Sequence, residues 1–321
     1  MLFSILIPAF KSQFLAEAIE SCLAQELGDF EVIIVDDHSP EDLHSIVSQY
    51  SDKRIKYYAN KTNCGAVDVV DNWNICLSYA KGEFVICMGD DDRLLPWCLT
   101  EYSLLIQRYP NLDVYHARTE LIDEEGRLIG LQEARPEWES AYSALWHQCS
   151  CHRKQYIGDF LFRTSSLKNE GGFFKLPLAI FSDNISTIRA AKKFGVANIQ
   201  KISFQYRVNR YTISNNGDPR LLADSIKSAY DWFCSFLHEE PIDELDRKYV
   251  KMLLDGDLRK HIYGMMMYVV SRDLNENGLS AISYWKSHYS TLGINEDWMR
   301  SELKLYRRNW YITKFKKLLG E

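Results

Sequence analysis

Three consecutive carboxylates, Asp90-Asp91-Asp92, follow a short apolar run that ends in Gly89. Carboxylates this close repel one another unless a cation or hydrogen-bond donors neutralise them. Oxygen donors with open positions suit Mg²⁺ or Mn²⁺, which complete their shells with water and substrate phosphate. An isolated triplet is more often a solvated loop or a helix start, where acids favour the dipole. Here the triplet closes a buried strand, which favours a site. Asp36 and Asp37 end another apolar run. Asp183 follows the apolar turn Ala179-Ile180-Phe181, and with Ser182 and Asn184 beside it could cap a helix. Cys149-Ser150-Cys151-His152 lacks the fourth ligand of a structural zinc site, so metal binding is not expected there.

These acids need elements to hold them. Residues 3–8, 31–35, 55–58 and 83–88 are short apolar runs that read as buried strands. Between them, helical spacing recurs: Phe14, Leu15, Ala18, Ile19, Cys22 and Leu23 with Ser12 as cap, then a helix opened by Ser39 and Pro40, then residues 66–80. This β-α-β-α order predicts an α/β fold, with a mostly parallel sheet flanked by helices. Ligands of such sheets bind at the carboxyl ends of the strands, where both acidic clusters fall. The middle shows a helix near 99–108, a hairpin around Glu124-Glu125-Gly126, a polar and aromatic stretch over 132–156, a turn at Gly171-Gly172 and a helix over 185–194. Residues 221–237, 243–254 and 258–270 carry helical periodicity, so the C-terminal region is expected to be helical.

The chain has 321 residues, with 38 Lys plus Arg against 44 Asp plus Glu, a formal net charge of -6. An acidic surface argues against a general nucleic-acid binder. Fifteen Phe, 8 Trp and 19 Tyr supply enough apolar area to exclude disorder over most of the length. No apolar run approaches the roughly 18 residues that span a bilayer. The N-terminus lacks a basic leader and a cleavage site, and the 8 Cys sit mostly in apolar segments, so a reducing cytoplasm is the expected location.

Taken together, the motifs resemble those of the family 2 glycosyltransferases, which have the nucleotide-sugar-binding fold called GT-A. Ile7-Pro8-Ala9-Phe10 is similar to the family's opening strand and turn, and Ser21-Cys22-Leu23-Ala24-Gln25 to its first-helix signature. Val35-Asp36-Asp37-His38-Ser39 matches Asp-Asp-x-Ser. Asn63-x-Gly65, with Asn72-Trp73-Asn74, resembles the third block. Asp90-Asp91-Asp92 with Pro96 resembles the metal-binding DXD block. Gly171-Gly172-Phe173, Asp183 and Arg189 resemble the acceptor-side block, and Tyr206-Arg207 with Ser214 the block that closes the site. The resemblance covers residues 2–214. Two departures stand out. Asn72-Trp73-Asn74 replaces a common Ala-Arg-Asn, so no basic diphosphate contact is expected there. Asn209 replaces a common His.

The resemblance implies a metal-dependent, inverting transfer of a sugar from a nucleotide donor, most plausibly a UDP-sugar, to a glycan acceptor. A lipid-linked acceptor, as in bacterial surface polysaccharide or O-antigen assembly, would suit it. Pro8, Phe10, Asn63, Gly65, Asn72, Asp90, Asp91 and Arg207 become candidate donor contacts. Asp36 and Asp37 are candidates for the nucleotide base, with Asp37 preferred; the alternative is two acidic neighbours of a helix cap. Asp91 or Asp92 would hold Mn²⁺ or Mg²⁺ on the diphosphate. Asp183 would take the proton of the acceptor hydroxyl, and could cap its helix as well. Residues 1–98 would form the nucleotide-sugar half, 99–220 the acceptor half of the same domain, and 221–321 a helical region. A nucleotidyltransferase is the enzyme rival, but Pro8-Ala9-Phe10-Lys11 is not that class's Gly-rich basic loop. An inactive sugar-binding module is the other rival, favoured if Asp183 lay far from the triplet. Trp138, Tyr142, Trp146 and Tyr156 could form an acceptor-sugar surface or a satellite core. The tail, with Lys304, Arg307, Arg308, Lys314, Lys316 and Lys317 among aromatics and Leu, could make a peripheral contact with the inner face of the membrane, the reading preferred here, or pack its aromatic face on the protein as a solvated helix.

Overall fold

The computed structural model describes residues 1–151, 153–209 and 216–289, together with 297, 299–301 and 304. The first part alternates β1 (Phe3–Ala9), α1 (Leu15–Leu23), β2 (Phe30–Asp36), α2 (Leu43–Val47), β3 (Ile55–Ala59), α3 (Val69–Tyr79) and β4 (Phe84–Cys87). These strands pair in parallel in the order β3-β2-β1-β4. Each crossover contains a helix, as parallel neighbours require.

The sheet then becomes mixed. Next come β5 (Arg93–Leu94), α4 (Cys98–Arg108), β6 (Val114–Ile122), β7 (Leu128–Leu131), β8 (Trp138–Glu139), α5 (Ala141–Ser150), β9 (Phe160–Arg163), α6 (Thr164–Asn169), α7 (Ser182–Ala191) and β10 (Val196–Arg207). The order continues β4-β9-β6-β10-β5, giving ten strands with β7 on β6 and β8 on β10. β9 runs antiparallel to both neighbours, and β6 and β10 are parallel. The expected hairpin is the β6–β7 pair. The C-terminal region is helical, with α8 (Pro219–Leu237), α9 (Glu244–Met252), α10 (Leu258–Asn277) and α11 (Leu279–Tyr289).

Alternation along the strands sends side chains to two cores. Ile5, Ile7, Val32, Ile34, Phe84 and Ile86 face one side with Leu15, Ile19 and Cys22 of α1 and Leu99 and Tyr102 of α4. Leu6, Ile33, Val35, Val85 and Cys87 face the other, with Val70 and Trp73 of α3. That second core continues into Leu145 of α5, Ile185 of α7, Phe233 of α8 and Met266 of α10. The C-terminal helices thus complete one face of the sheet.

Two expected caps differ. α1 begins at Leu15, with Phe14 in the cap position and no side-chain bond. The Ser12 N–H instead donates to Glu41. Asp42, not Ser39, caps α2 by accepting from the Ser45 N–H at 3.0 Å. The Ser39 hydroxyl donates to the Phe10 carbonyl at 2.6 Å, tying this segment to the end of β1. Among the described residues, no helix is long and apolar enough to cross a membrane. His152, Ser214 and the basic tail after Lys304 lie outside the described residues.

Candidate active site

A cleft of about 720 Å³ opens over the carboxyl ends of β1, β2 and β4. Pro8 and Phe10 enter it from the end of β1, Asp37 from the end of β2, Asn63 and Gly65 from the approach to α3, Asn72 from α3 itself, and the Asp triplet from the end of β4. Asp183 lines the same cleft from the first turn of α7. Asp37, the triplet and Asp183 therefore face one space.

Asp37 organises the wall beside β2. Its carboxylate accepts from Asn60 Nδ2 at 2.8 Å and from the Cys64 N–H at 3.0 Å, and its carbonyl accepts from Asn63 Nδ2 at 2.8 Å. Asn60 also donates to Asn72 Oδ1 at 3.0 Å. Asp36 points elsewhere. It accepts from the Ser39 N–H at 2.8 Å and the Tyr57 hydroxyl at 2.6 Å, and is not part of the cleft wall. Alternation along a strand separates the two neighbours, leaving Asp37 as the cleft carboxylate.

The triplet divides its work. Gly89 allows its tight fold, because a Cβ there would meet Asp91 Oδ1 at 2.7 Å. Asp90 accepts from the backbone N–H groups of Phe10 and Lys11 at 2.8 and 2.7 Å, stitching the end of β4 to that of β1. Burial, then the Asp91 charge, pushes its carboxyl up to about 6. Asp92 accepts from the Arg207 N–H at 3.0 Å and the Gly89 N–H at 3.2 Å. Burial and Asp91 raise it well above the ordinary range. Asp91 accepts from Asn209 Nδ2, in the position where a His was noted as common. Burial raises it too, and Lys11 opposes the rise.

The donor set is oxygen only, which suits a hard divalent cation. Among the described residues no three His, Cys, Asp or Glu side chains gather as a ligand cluster. That still fits Mg²⁺ or Mn²⁺ bound through one or two carboxylates plus substrate phosphates. Asp91 has the most accessible carboxylate for it: it is half-buried, whereas Asp90 and Asp92 are buried and bonded to backbone N–H groups.

Arg207 does not reach the cleft wall. It is 1% exposed, and its guanidinium donates to the carbonyls of Asp91, Asp123 and Glu124 and to Glu17 at 2.7 Å. It also sits 4.0 Å over the Phe14 ring. Five fixed donors in a buried fork make it a clamp under the triplet, so a direct donor contact is corrected to support from below. We expect Arg207→Ala to cost about 2–3 kcal/mol of stability, because it leaves buried carbonyls without a donor. Urea unfolding checks this, and a loss under 1 kcal/mol would contradict it.

The opposite wall comes from Gln148, residues 153–157 and 178–181, Asp183 and Asn184, with Tyr206 and Asn209. Tyr156 stacks on Tyr206 at 3.7 Å. Arg153 grips Glu139 with two 2.8 Å bonds. Beneath them Asp159, fully buried, accepts from Gln132 Nε2 at 2.6 Å, the Tyr156 N–H at 2.9 Å and Thr119. Of the four aromatics offered as an acceptor surface, only Tyr156 lines the cleft. Trp138 borders a separate groove, Tyr142 packs on Phe236, and the Trp146 indole donates to Asp257 at 2.9 Å.

Asp183 follows Phe181, whose backbone is left-handed at φ 65°. Burial pushes its carboxyl up to about 7, opposed by the Asn184 N–H. No side-chain capping bond is present, because Phe181 holds the cap position. Sequence reasoning missed Lys11, Gln148, Arg153, His261 and Met265 in the wall. The i, i+4 spacing of His261 and Met265 on one face of α10 was the available signal for the last two.

Residues 4–168 match the profile described as Glycosyl transferase family 2, just over half of the chain. A Campylobacter jejuni protein named GalNAc(5)-diNAcBac-PP-undecaprenol beta-1,3-glucosyltransferase is 38% identical over 128 residues, 39% of this chain and 40% of that one. The chain thus spans about two fifths of the length of such relatives. Among solved structures, S. aureus TarS 1-349 in complex with UDP-GlcNAc aligns with TM-score 0.62 and 17% identity, over 95% of this chain and 79% of that one. The mannosyltransferase PcManGT from Pyrobaculum calidifontis, in complex with GDP-Man and Mn²⁺, aligns with TM-score 0.51 and 13% identity, over 99% and 87%. At such identities the structures speak for the fold. The strand order, the acid-lined cleft and the matched profile agree: the chain belongs to glycosyl transferase family 2 and has its GT-A architecture.

Proposed function

We propose that this protein moves a sugar from a UDP-sugar to a hydroxyl of a glycan acceptor, with inversion and with a divalent cation. The observation that carries the reading is the single cleft lined by both Asp91 and Asp183. Asp37, Asn63, Asn72 and the β1 turn would receive the nucleotide. Asp91 would hold the cation, with Asp90 and Asp92 fixing the loop around it. When bound, Mn²⁺ or Mg²⁺ neutralises charge on the leaving diphosphate. Asp183 takes the proton from the acceptor hydroxyl as its oxygen bonds to the anomeric carbon. The bond from that carbon to the diphosphate breaks on the opposite face. A base near pH 7 is well matched to such a proton transfer.

The UDP-GlcNAc complex of TarS supports a UDP-sugar, and the undecaprenol-linked substrate in the Campylobacter relative's name supports a lipid-linked acceptor in bacterial surface-glycan synthesis. The Mn²⁺ complex of the mannosyltransferase supports the cation. The test is a screen of nucleotide sugars for turnover with Mn²⁺ and in chelator. A cation-dependent UDP-sugar turnover is expected; turnover of none, or equal turnover in chelator, would overturn the reading. The basic, aromatic-rich tail completes the proposal as a peripheral contact with anionic lipid at the cytoplasmic leaflet. We expect full-length protein to co-sediment with anionic vesicles at low salt and a chain ending near residue 302 to stay in solution. Equal behaviour of the two would remove the tail from the reading.

A further inference from the structure

Three residues with Cβ atoms in the four positions 178–181 have left-handed backbone: Leu178 at φ 58°, Ala179 at φ 56° and Phe181 at φ 65°. Left-handed backbone is sterically disfavoured for such residues and persists where surroundings over-determine it. All three line the cleft, and Asp183 follows two residues after Phe181. The turn is held from three sides. The Leu178 N–H donates to the Val67 carbonyl at 2.9 Å. The hydroxyl of Ser225, fully buried on α8, donates to the Pro177 carbonyl at 2.7 Å. The Phe181 ring meets Phe233 of α8 edge-on at 5.8 Å and His261 of α10 at 6.2 Å. Downstream, Ser182 Oγ accepts from the Leu176 N–H at 3.1 Å, so the start of α7 is tied to the same turn.

We propose that Ser225 is a positioning residue: its hydroxyl, with Phe233 beside it, holds the turn 177–181 in its left-handed form and thereby sets where α7 presents Asp183 to the acceptor. The inference rests on Asp183 acting as the base. Ser225 does not line the cleft, and its hydroxyl reaches the turn at the Pro177 carbonyl. The turn meets the nucleotide side through the Leu178 N–H to Val67 carbonyl bond, in which Ser225 takes no part. Loss of the hydroxyl should therefore misplace the base and leave the donor subsite intact.

The test uses the full chain with Ser225→Ala, Ala179→Gly, the double variant, and Asp183→Asn as reference. Turnover is followed as nucleotide release from the nucleotide sugar selected by the screen, and UDP affinity by calorimetry. We expect Ser225→Ala to lower kcat about tenfold or more, as small misplacements of a reacting group do, with donor KM and UDP affinity held. Glycine adopts left-handed backbone without strain, so Ala179→Gly should raise Tm. In its background the kcat loss from Ser225→Ala should shrink. An unchanged kcat with a lowered Tm would make Ser225 a packing residue and overturn the proposal. So would a parallel fall in kcat and UDP affinity, or an undiminished loss in the double variant. If Ser225→Ala does not fold, Ala179→Gly alone decides: a Tm that does not rise removes the strain on which the proposal stands. An inactive Asp183→Asn beside a normal Ser225→Ala fails this inference alone. An active Asp183→Asn fails the function proposed above.

Discussion

Asp183→Asn is expected to abolish sugar transfer while making the protein more stable at neutral and alkaline pH. The amide keeps the shape of the side chain but cannot accept a proton, so kcat should fall by about 10²-fold or more. UDP binding should change little, because the nucleotide wall lies on other elements. The stability gain follows from the raised carboxyl, about 7 in the fold against about 3.9 for a free Asp. A raised acid favours the folded state fully below the lower value. That contribution is lost as pH rises from about 4 through 7. At pH 8 wild type therefore holds an ionised group that the fold disfavours, and the variant does not. Three units set a ceiling near 4 kcal/mol; access to the open cleft reduces the expected gain to about 1–2 kcal/mol. Melting curves of both proteins at pH 5.5 and 8 check the sign, and the advantage should shrink at the lower pH. Wild-type kcat/KM should rise with pH around 7. Transfer within a few-fold of wild type, or a variant less stable at pH 8, would contradict the assignment.

Asp91→Asn is expected to remove most of the benefit that Mn²⁺ gives to donor binding. Asp90 and Asp92 are buried and bonded to backbone N–H groups of Phe10, Lys11, Arg207 and Gly89, whereas Asp91 is half-buried. The proposed function has Asp91 carry the cation. Without it, UDP affinity in Mn²⁺ should fall on the order of tenfold to a hundredfold, towards its value in chelator; loss of even an outer-shell partner of a metal site costs that much. Affinity in chelator should barely move. Asp90→Asn should behave differently, loosening the junction of β1 and β4 and lowering Tm as well as affinity. Calorimetric titration of the three proteins with UDP, with and without Mn²⁺, separates these outcomes. Equal Mn²⁺ dependence in wild type and Asp91→Asn would assign the cation elsewhere.

Much of the first part was legible because its signals are local. Apolar runs such as 31–35 are buried on both faces, and the helices between them carry clear spacing. The acids were legible for the same reason, since they fall at strand ends. Discrimination within them was not. Asp36 and Asp37 are adjacent in sequence, and only the pleat and the partners Tyr57 and Asn60 decide which one faces the cleft. Arg207 read as a ligand because guanidinium groups suit phosphates; its burial among three carbonyls is set by residues more than 80 positions away. β10 escaped notice because register shifts between Asn198 and Phe204 break its alternation. β9 is only four residues long. In 132–156, α5 was obscured by its mixed polar and aromatic composition, although Ser140 caps it with a 3.1 Å bond from the Ser143 N–H.

One apolar cluster runs from Leu6 and Val85 in the sheet to Phe233, Met266 and Trp285 in the C-terminal helices. That continuity bears on how such enzymes can be recombined. A chain cut after residue 220 would carry the acids and all ten described strands, yet present an uncovered greasy sheet face to water. We expect it to collect in inclusion bodies rather than behave as a minimal catalyst. Grafting these helices onto another acceptor half would transplant half of a core with them, so specificity swaps drawn at that boundary should fail unless both sides of the seam travel together.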